Sequence, residues 1–441
     1  MKSRALRTCV IVFLLQAIFL PSSFADPIVR RIPVAEGLAA HPVNGGRCLI
    51  SDSEHQYLAF YDGDHQMTVA KRRLGDDQWE FAKLPEKVGW DTHNRVILFQ
   101  DRGGYLHITG NMHCAPLKYY RTRRPGDIQS FQPIHTWAGF YEERVTYPNL
   151  LVLRDGSLHM MYRYGGSGNG KRLLVHYDEK TQTWSGAGEA FISGMEHKPD
   201  CNAYPFGAIQ EDGQGVLHIA WCWRETPDVE TNYDVCYAKS LDGGLTWRRW
   251  DGALYDLPIR PENAEVVDDI EQNSGLMNGG SLAVDGRGVP YIGYTRFDDN
   301  GFNQMYVAAP REGKWKIVQV SDFKKRFWFE GRGTIPQSPS IPRLSMDQDD
   351  RLHIRRGGAE CVVSLDQFFS MKPQQFIYRP IAEDSPGVPN VRAVNIGPLP
   401  DGQTHYMQQE VDRPNRDRKP ENPKPPSMIY IVEVDSSADG K

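Results

Sequence analysis

The sequence predicts an all-β protein, a seven-bladed β-propeller of four-stranded antiparallel blades. A glycine, leucine and histidine motif followed by a hydrophobic strand recurs at Gly104, Gly156 and Gly215, with variants that begin at Gly288 and Asp350. Spacings of about 40 to 50 residues or somewhat more are typical of propeller blades with inserted loops. No amphipathic helix pattern interrupts the repeats, and aromatic residues make up 11% of the chain. This aromatic content suits packed sheets.

The repeats divide the chain into seven predicted blades. We place them at residues 40–85, 90–135, 143–193, 200–260, 275–323, 335–382 and 387–435. The strand-rich segment 28–34 is free to complete the last blade and so to close the ring, which leaves only short, protected sheet edges. We find no Pro-, Gly- or Ser-rich linker between globular halves. Residues 26–441 are therefore predicted to form a single propeller domain.

Residues 1–25 have the features of an export signal. Three basic residues among the first seven precede an apolar stretch, residues 9–20, and a small-x-small cleavage pattern ends at Ala25. No later stretch reaches the roughly 20 apolar residues needed to span a bilayer. We therefore expect a secreted or periplasmic protein, cleaved near Ala25, without a membrane span.

Charge narrows the set of partners. The formal net charge is -5, whereas a nucleic-acid-binding domain is normally basic. We therefore predict no nucleic-acid partner. Separately, we expect the protein to be a monomer.

One repeat carries a specific fold signature. Residues 240–247, SLDGGLTW, fit the Asp-box pattern S-x-D-x-G-x-T-W. The carboxylate of Asp242 can accept bonds from amides of its own turn, glycine permits a positive φ, and Trp247 can pack between sheets. The motif is specific for a fold and carries little information about chemistry.

The repeats separate two groups of histidines. Four of them occupy the same place in their blades, just after the turn, and are predicted to be structural: His107, His159, His218 and His353. His93 and His113 have no counterparts in other blades. They lie ten residues on either side of a turn near residue 103, so we expect them to face each other at the open end of one hairpin.

The same midpoint rule places further polar residues at this end of the blades. Tyr147 and Arg163 lie eight residues on either side of Asp155 and are expected to face each other. Equivalent positions in the next two blades are also predicted to contact substrate: Tyr204, Arg224, Asn278 and Arg296. Asn94, beside His93, completes the predicted set of substrate contacts.

This set of residues favours removal of a carbon-bound proton beside a carboxylate. The predicted rim lacks the pair of carboxylates that an ordinary glycosidase requires. In β-elimination of a uronic acid, Arg163 would neutralise the substrate carboxylate and stabilise the developing enolate. One of His93, His113 and Tyr147 would take the C5 proton, and another would donate to the leaving oxygen. The sequence does not assign the base and the acid.

Several segments resemble the secreted BNR-repeat (Asp-box) seven-bladed propellers, and among these the propeller-type ulvan lyases. The resemblance covers residues 40–380 and is carried by residues 91–108, 145–170, 202–210, 218–229 and 236–247. It implies catalytic and carboxylate-neutralising roles for His93, His113, Tyr147 and Arg163, and a substrate contact for Tyr204.

The resemblance implies a polysaccharide lyase that acts on an ulvan-like, uronic-acid-containing polysaccharide or oligosaccharide, without an organic cofactor. Two alternatives stay open. One is an α-rhamnosidase-type glycoside hydrolase acting on a rhamnose–uronate linkage, and the other is a non-catalytic carbohydrate-binding propeller.

A second constellation is predicted in the fourth blade. Pairing of its strands is expected to bring Cys222 beside Cys236, with Cys201 and His197 nearby. Three thiols and an imidazole can form a closed tetrahedral zinc site. A structural zinc, a disulfide and ordinary buried thiols are the three interpretations.

The last blade contains a polar, proline-rich insertion, residues 412–427. Such a segment cannot bury a core, so it is predicted to be a mobile surface loop.

Overall fold

A computed structural model describes residues 29–40, 43–186, 188–333, 339–381, 388–400, 402–413, 415 and 417–435. Within them the chain is all-β, and its strands form seven antiparallel sheets. Each predicted blade overlaps one of these sheets. The predicted export signal lies outside the described residues. None of the helices in the described part of the chain is long and apolar enough to cross a membrane.

The first strand, β1 (Val29–Gly37), belongs to the last sheet. The first sheet in chain order consists of β2 (Leu49–Ser51), β3 (His55–Tyr61), β4 (Gln66–Arg73) and β5 (Glu80–Lys87). Next in the chain come β6 (Ile97–Gln100), β7 (Leu106–Thr109), β8 (His113–Ala115), β9 (Tyr119–Thr122) and β10 (Phe131–Pro133). The second sheet contains these strands except β8, which joins the third sheet.

The two central sheets carry extra strands. The third sheet is formed by β8 with β11 (Val145–Val152), β12 (Leu158–Gly165), β13 (Gly170–Asp178), β14 (Thr183–Gly186) and β15 (Ile192–Ser193). The fourth contains β16 (Asn202–Pro205), β17 (Gln210–Glu211), β18 (Leu217–Arg224), β19 (Asn232–Ser240) and β20 (Glu265–Asp268).

The last three sheets are regular, with four strands each. The fifth consists of β21 (Ser281–Val284), β22 (Pro290–Phe297), β23 (Asn303–Arg311) and β24 (Lys314–Gln319). The sixth consists of β25 (Arg343–Met346), β26 (Arg351–Arg356), β27 (Ala359–Ser364) and β28 (Arg379–Pro380). The seventh consists of β29 (Val391–Val394), β30 (Gln403–Gln408), β31 (Ser427–Asp435) and β1. The pairing of β1 with β31 confirms that the segment before residue 37 completes the last sheet.

Short helical turns connect some of these strands. The described residues contain an α-helical turn, Leu365–Phe368, and 3-10 turns at Ile128–Ser130, Val229–Thr231 and Pro373–Gln375.

The hydrophobic core lies between neighbouring sheets. One buried cluster joins residues of the third and fourth sheets, such as Met161 and Trp221. Another joins the first and seventh sheets, through residues such as Leu58 and Ile431. Because side chains alternate between the two faces of a strand, each sheet can pack against both of its neighbours. This is the packing of a propeller.

The Asp-box turn has the predicted structure. The carboxylate of Asp242 accepts bonds from the Thr246 amide at 2.9 Å and the Thr246 hydroxyl at 2.6 Å. Gly243 and Gly244 have positive φ angles of 69° and 94°. The side chain of Trp247 is fully buried in the core.

Two of the four recurring histidines make the same pair of contacts within their sheets. His107 Nε2 lies 3.2 Å from Asp101, and His218 Nε2 lies 3.2 Å from Asp212. In each pair the aspartate precedes the histidine by six residues, and the other ring nitrogen contacts a tyrosine hydroxyl. These bonds give His107 and His218 a structural role in their sheets, whereas Nδ1 of His159 has no hydrogen-bond partner among the described residues.

Candidate active site

His93 and His113 come together, although they do not belong to one hairpin. The β6–β7 pairing ends at Ile97 and Thr109, and His113 pairs with Thr146 of β11 in the third sheet. The two ring centroids are nevertheless only 4.5 Å apart. The prediction that the imidazoles meet is therefore matched by the structure, whereas the predicted strand pairing behind it is wrong.

Asp91 holds both rings. Its carboxylate lies 2.7 Å from His93 Nδ1 and 2.5 Å from His113 Nδ1, and it also accepts the backbone N–H of His93 at 2.9 Å. Burial raises the pKa of Asp91, but the bonds from the two histidines outweigh burial and leave this pKa lowered. With Nδ1 of each ring held by a carboxylate, Nε2 is the nitrogen available to a bound molecule.

His93 has a second carboxylate partner. Its Nδ1 lies 3.2 Å from Asp417, a residue of the proline-rich insertion. Burial disfavours the charged ring, but hydrogen bonds and charge from Asp417 and Asp91 outweigh burial and raise the pKa of His93 to about 9. His93 is therefore an imidazolium at neutral pH.

Tyr147 projects from a break in its strand. The pairing of β11 with β12 shifts between Thr146 and Asn149, and Tyr147 has a φ of 54°. A non-glycine residue in this backbone region costs about 1 to 3 kcal/mol, and such strain and bulges cluster at functional sites. The ring centroid of Tyr147 lies 5.7 Å from that of His93 and 6.2 Å from that of His113. Because of the bulge, Thr146 and not Tyr147 faces Arg163, so the predicted register is wrong by one residue.

Arg163 lies beneath the Tyr147 ring rather than on the cavity wall. Its guanidinium carbon is 5.0 Å from the ring centroid, and its side chain is fully buried. One guanidinium nitrogen donates to Cys114 Sγ at 3.5 Å, while Nε and Nη1 have no hydrogen-bond partner among the described residues. In this conformation the guanidinium faces the underside of Tyr147, and the predicted direct contact with a substrate carboxylate is not available.

Tyr204 lies among arginines. The guanidinium carbons of Arg224 and Arg172 are 5.2 Å and 6.0 Å from its ring centroid. Burial raises the pKa of Tyr204, but the charges of Arg224, Arg163 and Arg172 outweigh burial and lower it. Tyr147 behaves differently, because burial and the neighbouring Tyr204 raise its pKa to about 12. The pKa values of the two phenols are therefore shifted in opposite directions.

The two imidazoles and the two phenols line one cavity of about 1020 Å³. Its lining includes six of the predicted residues: His93, His113, Tyr147, Tyr204, Arg224 and Asn278. Arg47, Arg95 and Asp417 add further charged groups to the wall. A cavity of this size, with convergent polar groups and titratable residues of shifted pKa, is a candidate active site.

Two predicted substrate contacts do not line this cavity. Asn94 is buried, and its Oδ1 has no partner within the described residues. Arg296 donates to Asp268 at 2.9 Å and stacks 4.2 Å from the Tyr306 ring centroid. Arg296 is thus used within its own sheet, where the sequence suggested a free rim position.

Sequence reasoning missed Asp91, Arg172 and Asp417. The spacing Asp91-x-His93 could have indicated an aspartate that bonds its own turn. Asp417 gave no local signal, because it reaches the site from the far end of the chain.

The group Asp91, His93 and His113 offers three ligand-type atoms within 4.8 Å of one another. An ion bound tetrahedrally about 2.0–2.2 Å from each atom would hold nitrogen and oxygen roughly 3.3 Å apart. The separations of 2.7 and 2.5 Å are instead those of direct hydrogen bonds. We interpret the group as two histidines sharing a carboxylate.

The four predicted zinc ligands do not assemble. In the β18–β19 pair, Cys236 faces Trp221 and Cys222 faces Val235. Adjacent positions in a strand point to opposite faces, and Cys222 accordingly lies in a different core cluster from Cys201 and Cys236.

The fourth predicted zinc ligand, His197, contacts a carboxylate instead of the cysteines. His197 lies 2.5 Å from Glu262. All six described cysteines are free thiols, so the predicted disulfide is not formed. The structural zinc stays a prediction, which the separation of Cys222 from the other two thiols does not favour.

Comparison with known proteins identifies the family. Residues 55–323, more than half of the chain, match the model of the BNR repeat-containing family. The chain belongs to this family. A long isoform of ulvan lyase from Glaciecola sp. (strain KUL10) is 48% identical over 160 residues, which is 36% of this chain. That match spans only 14% of the Glaciecola protein.

Two solved structures support the propeller fold. The polysaccharide lyase Uly1 has a TM-score of 0.60 at 14% identity, over 92% of this chain and 99% of that one. A PL25 ulvan lyase bound to -[GlcA(1-4)Rha3S]- has a TM-score of 0.53 at 15% identity, over 88% and 93% of the two chains. At these identities the likeness concerns the fold.

Proposed function

We propose that this protein is a secreted or periplasmic polysaccharide lyase that cleaves an ulvan-like, uronic-acid-containing polysaccharide by β-elimination. We also infer that its seven sheets are seven blades of one propeller, with the cavity at one end of the ring. The observation that carries the proposal is the convergence of two carboxylate-bound imidazoles and a phenol, His93, His113 and Tyr147, on one cavity.

The electrostatics favour a distinct role for each group. His93 is the cationic ring, because two carboxylates contact its Nδ1. It would neutralise the uronate carboxylate through Nε2–H, which makes the C5 proton more acidic. This assignment moves the neutralising role away from Arg163, whose guanidinium is fully buried.

The proton transfers then fall to the other two groups. His113 Nε2 would take the C5 proton, and the electron pair of the C5–H bond would form the C4–C5 double bond as the C4–O bond breaks. Tyr147 retains its proton at neutral pH because its pKa is raised to about 12. Its phenol would donate to the leaving glycosidic oxygen.

Relatives support the substrate class. The Glaciecola relative is named an ulvan lyase, and one structural neighbour holds a glucuronate–sulfated rhamnose unit. We therefore propose an acidic glycan of this type as the partner of this chain. A polysaccharide substrate outside the cell agrees with the export signal predicted from the sequence.

The test is incubation of the purified protein with ulvan, with a glucuronan and with a neutral polysaccharide. A lyase produces absorbance from the new C4–C5 double bond together with new reducing ends on the acidic substrates. Reducing ends without this absorbance would indicate a hydrolase, and binding without either product would indicate a carbohydrate-binding propeller. Both outcomes would overturn the proposal.

A matched pair of variants links the activity to the site. His113→Ala should abolish product formation. His135→Ala removes an exposed histidine that does not line the cavity and should leave activity unchanged.

A further inference from the structure

The proline-rich insertion of the last sheet reaches the candidate active site. Asp417, within this insertion, lies 3.2 Å from His93 Nδ1 and accepts the hydroxyl of Thr92 at 3.1 Å. Thr92 and Asp417 are 325 positions apart in the chain. The contact therefore joins the last sheet to the segment that precedes β6.

The described part of the insertion is anchored at several points. The amide of Asp412 donates to the Ala39 carbonyl at 2.6 Å, and the amide of Lys424 donates to the Asp412 carboxylate at 2.8 Å. Lys419 Nζ lies 5.7 Å from the ring centroid of Trp90, next to Asp91. These contacts differ from the mobile surface loop that composition predicts. Through these contacts the insertion, which has no hydrophobic core of its own, places the Asp417 carboxylate at the candidate active site.

The two histidines are held unequally. His93 Nδ1 contacts both Asp91 and Asp417, whereas His113 Nδ1 contacts Asp91. One Nδ1–H cannot make two full hydrogen bonds, so the second carboxylate acts mainly through its negative charge. Among the described residues, the other titratable groups whose rings lie against His93 are the His113 imidazole and the Tyr147 phenol. Asp417 is thus the element that distinguishes His93 from His113.

We propose that Asp417 is a positioning residue: the insertion completes the active site by holding His93 as an oriented imidazolium whose Nε2–H receives the carboxylate of an acidic sugar. The part concerning the sugar rests on the proposed function. The part concerning His93 rests on the contacts of Asp417 alone.

The decisive measurement is an NMR titration of protein whose histidines are isotopically labelled. It compares the titration midpoint of His93 between the wild type and Asp417→Asn. Asparagine keeps an oxygen that can accept the Thr92 hydroxyl, so the insertion should remain in place. Loss of the charge should lower the His93 titration midpoint by about one unit or more. A midpoint that stays near the wild-type value in a folded variant would overturn the proposal.

Two further variants complete the test. Glu421→Gln removes the same charge from an exposed position of the same insertion and should leave the His93 midpoint unchanged. Asp417→Glu should restore most of the wild-type midpoint. An equal shift in Glu421→Gln would show that net charge, not the Asp417 contact, controls His93, and would also overturn the proposal.

Kinetics separate positioning from simple anchoring of a loop. If His93 acts as an imidazolium, the alkaline limb of kcat/KM should move to lower pH in Asp417→Asn, and KM for an acidic substrate should rise about tenfold. A lower rate with an unmoved limb would mean that Asp417 only anchors the insertion. If the wild-type protein makes no unsaturated product, the proposed function fails, while the NMR titration still decides the role of Asp417.

Discussion

Tyr147 lies directly over Arg163, with 5.0 Å between the guanidinium carbon and the ring centroid. This contact places a buried positive charge behind a phenol that lines the cavity. Two guanidinium nitrogens of Arg163 have no partner among the described residues. An arginine held in this way is costly for stability, so its value must lie in the electrostatics of the cavity.

Arg163→Met should therefore lower activity without lowering stability. Removal of the guanidinium takes away a charge that lowers the pKa of Tyr147, so the phenol becomes a weaker acid. We expect kcat to fall at least about tenfold, as general acid catalysis contributes roughly 10²–10⁴-fold. The melting temperature should stay the same or rise, because a buried guanidinium with two unpaired nitrogens is replaced by an apolar side chain.

Arg72→Met is the matched control. Arg72 is also buried, but it donates to Gln56 at 2.7 Å and to Glu433 at 2.7 Å. Breaking this pair should destabilise the protein by about 3–5 kcal/mol, because Glu433 loses its buried partner. Equal losses of stability in the two methionine variants would contradict the interpretation of Arg163.

Tyr147→Phe tests the phenol itself. Phenylalanine keeps the ring that covers Arg163 and removes only the proton donor, so kcat should fall roughly 10²–10⁴-fold with little change in KM. Tyr164→Phe offers a comparison in the neighbouring strand, where the ring packs against Tyr141. This second variant should keep full activity. A fully active Tyr147→Phe would assign the acid to another group.

The stability of the protein should depend on the charge of His93. Its pKa is about 9 in the folded protein, against an ordinary value of 6.5. Because His93 binds its proton more tightly in the folded state, the stabilisation is fully present at pH values below 6.5. It is lost as the pH rises through 9. The shift corresponds to an upper limit of about 3 kcal/mol.

This dependence can be measured by chemical denaturation at about pH 6 and about pH 10. The loss of unfolding free energy over this interval should be smaller in His93→Gln than in the wild type. The exposed His135→Gln should behave like the wild type. An identical loss in all three proteins would show that His93 is not held as a cation.

Much of the fold follows from local patterns in the sequence. The turn before each x-Leu-His motif and the alternation of the following strand are short-range signals, and each of the seven predicted segments overlaps a sheet. The histidine of the repeat was predicted to be structural because it recurs just after the turn in four blades, and the bond of His107 to Asp101 agrees with this role.

The site predictions failed in two situations. In the first, a shift of one residue turns a side chain to the other face of its strand. In the second, the contacting residue lies far away in the sequence. The bulge at Tyr147 shifts the register against Arg163 by one position, which no midpoint rule can detect. The alternation of side chains between the two faces of a strand also separates Cys222 from Cys236. Asp417 could not be found, because the contact with His93 depends on the closure of the whole chain and not on a local motif.

Asp91→Asn should be more damaging than any change at Asp417. The Asp91 carboxylate accepts from Nδ1 of both His93 and His113. An amide has one acceptor oxygen and one donor nitrogen, so one of the two rings must present an unprotonated Nδ1 to it. A neutral ring in that state carries its proton on Nε2 and cannot act as a base. We expect kcat to fall about 10²–10⁴-fold in this variant. A rate within about twofold of wild type would show that the shared carboxylate does not orient the base.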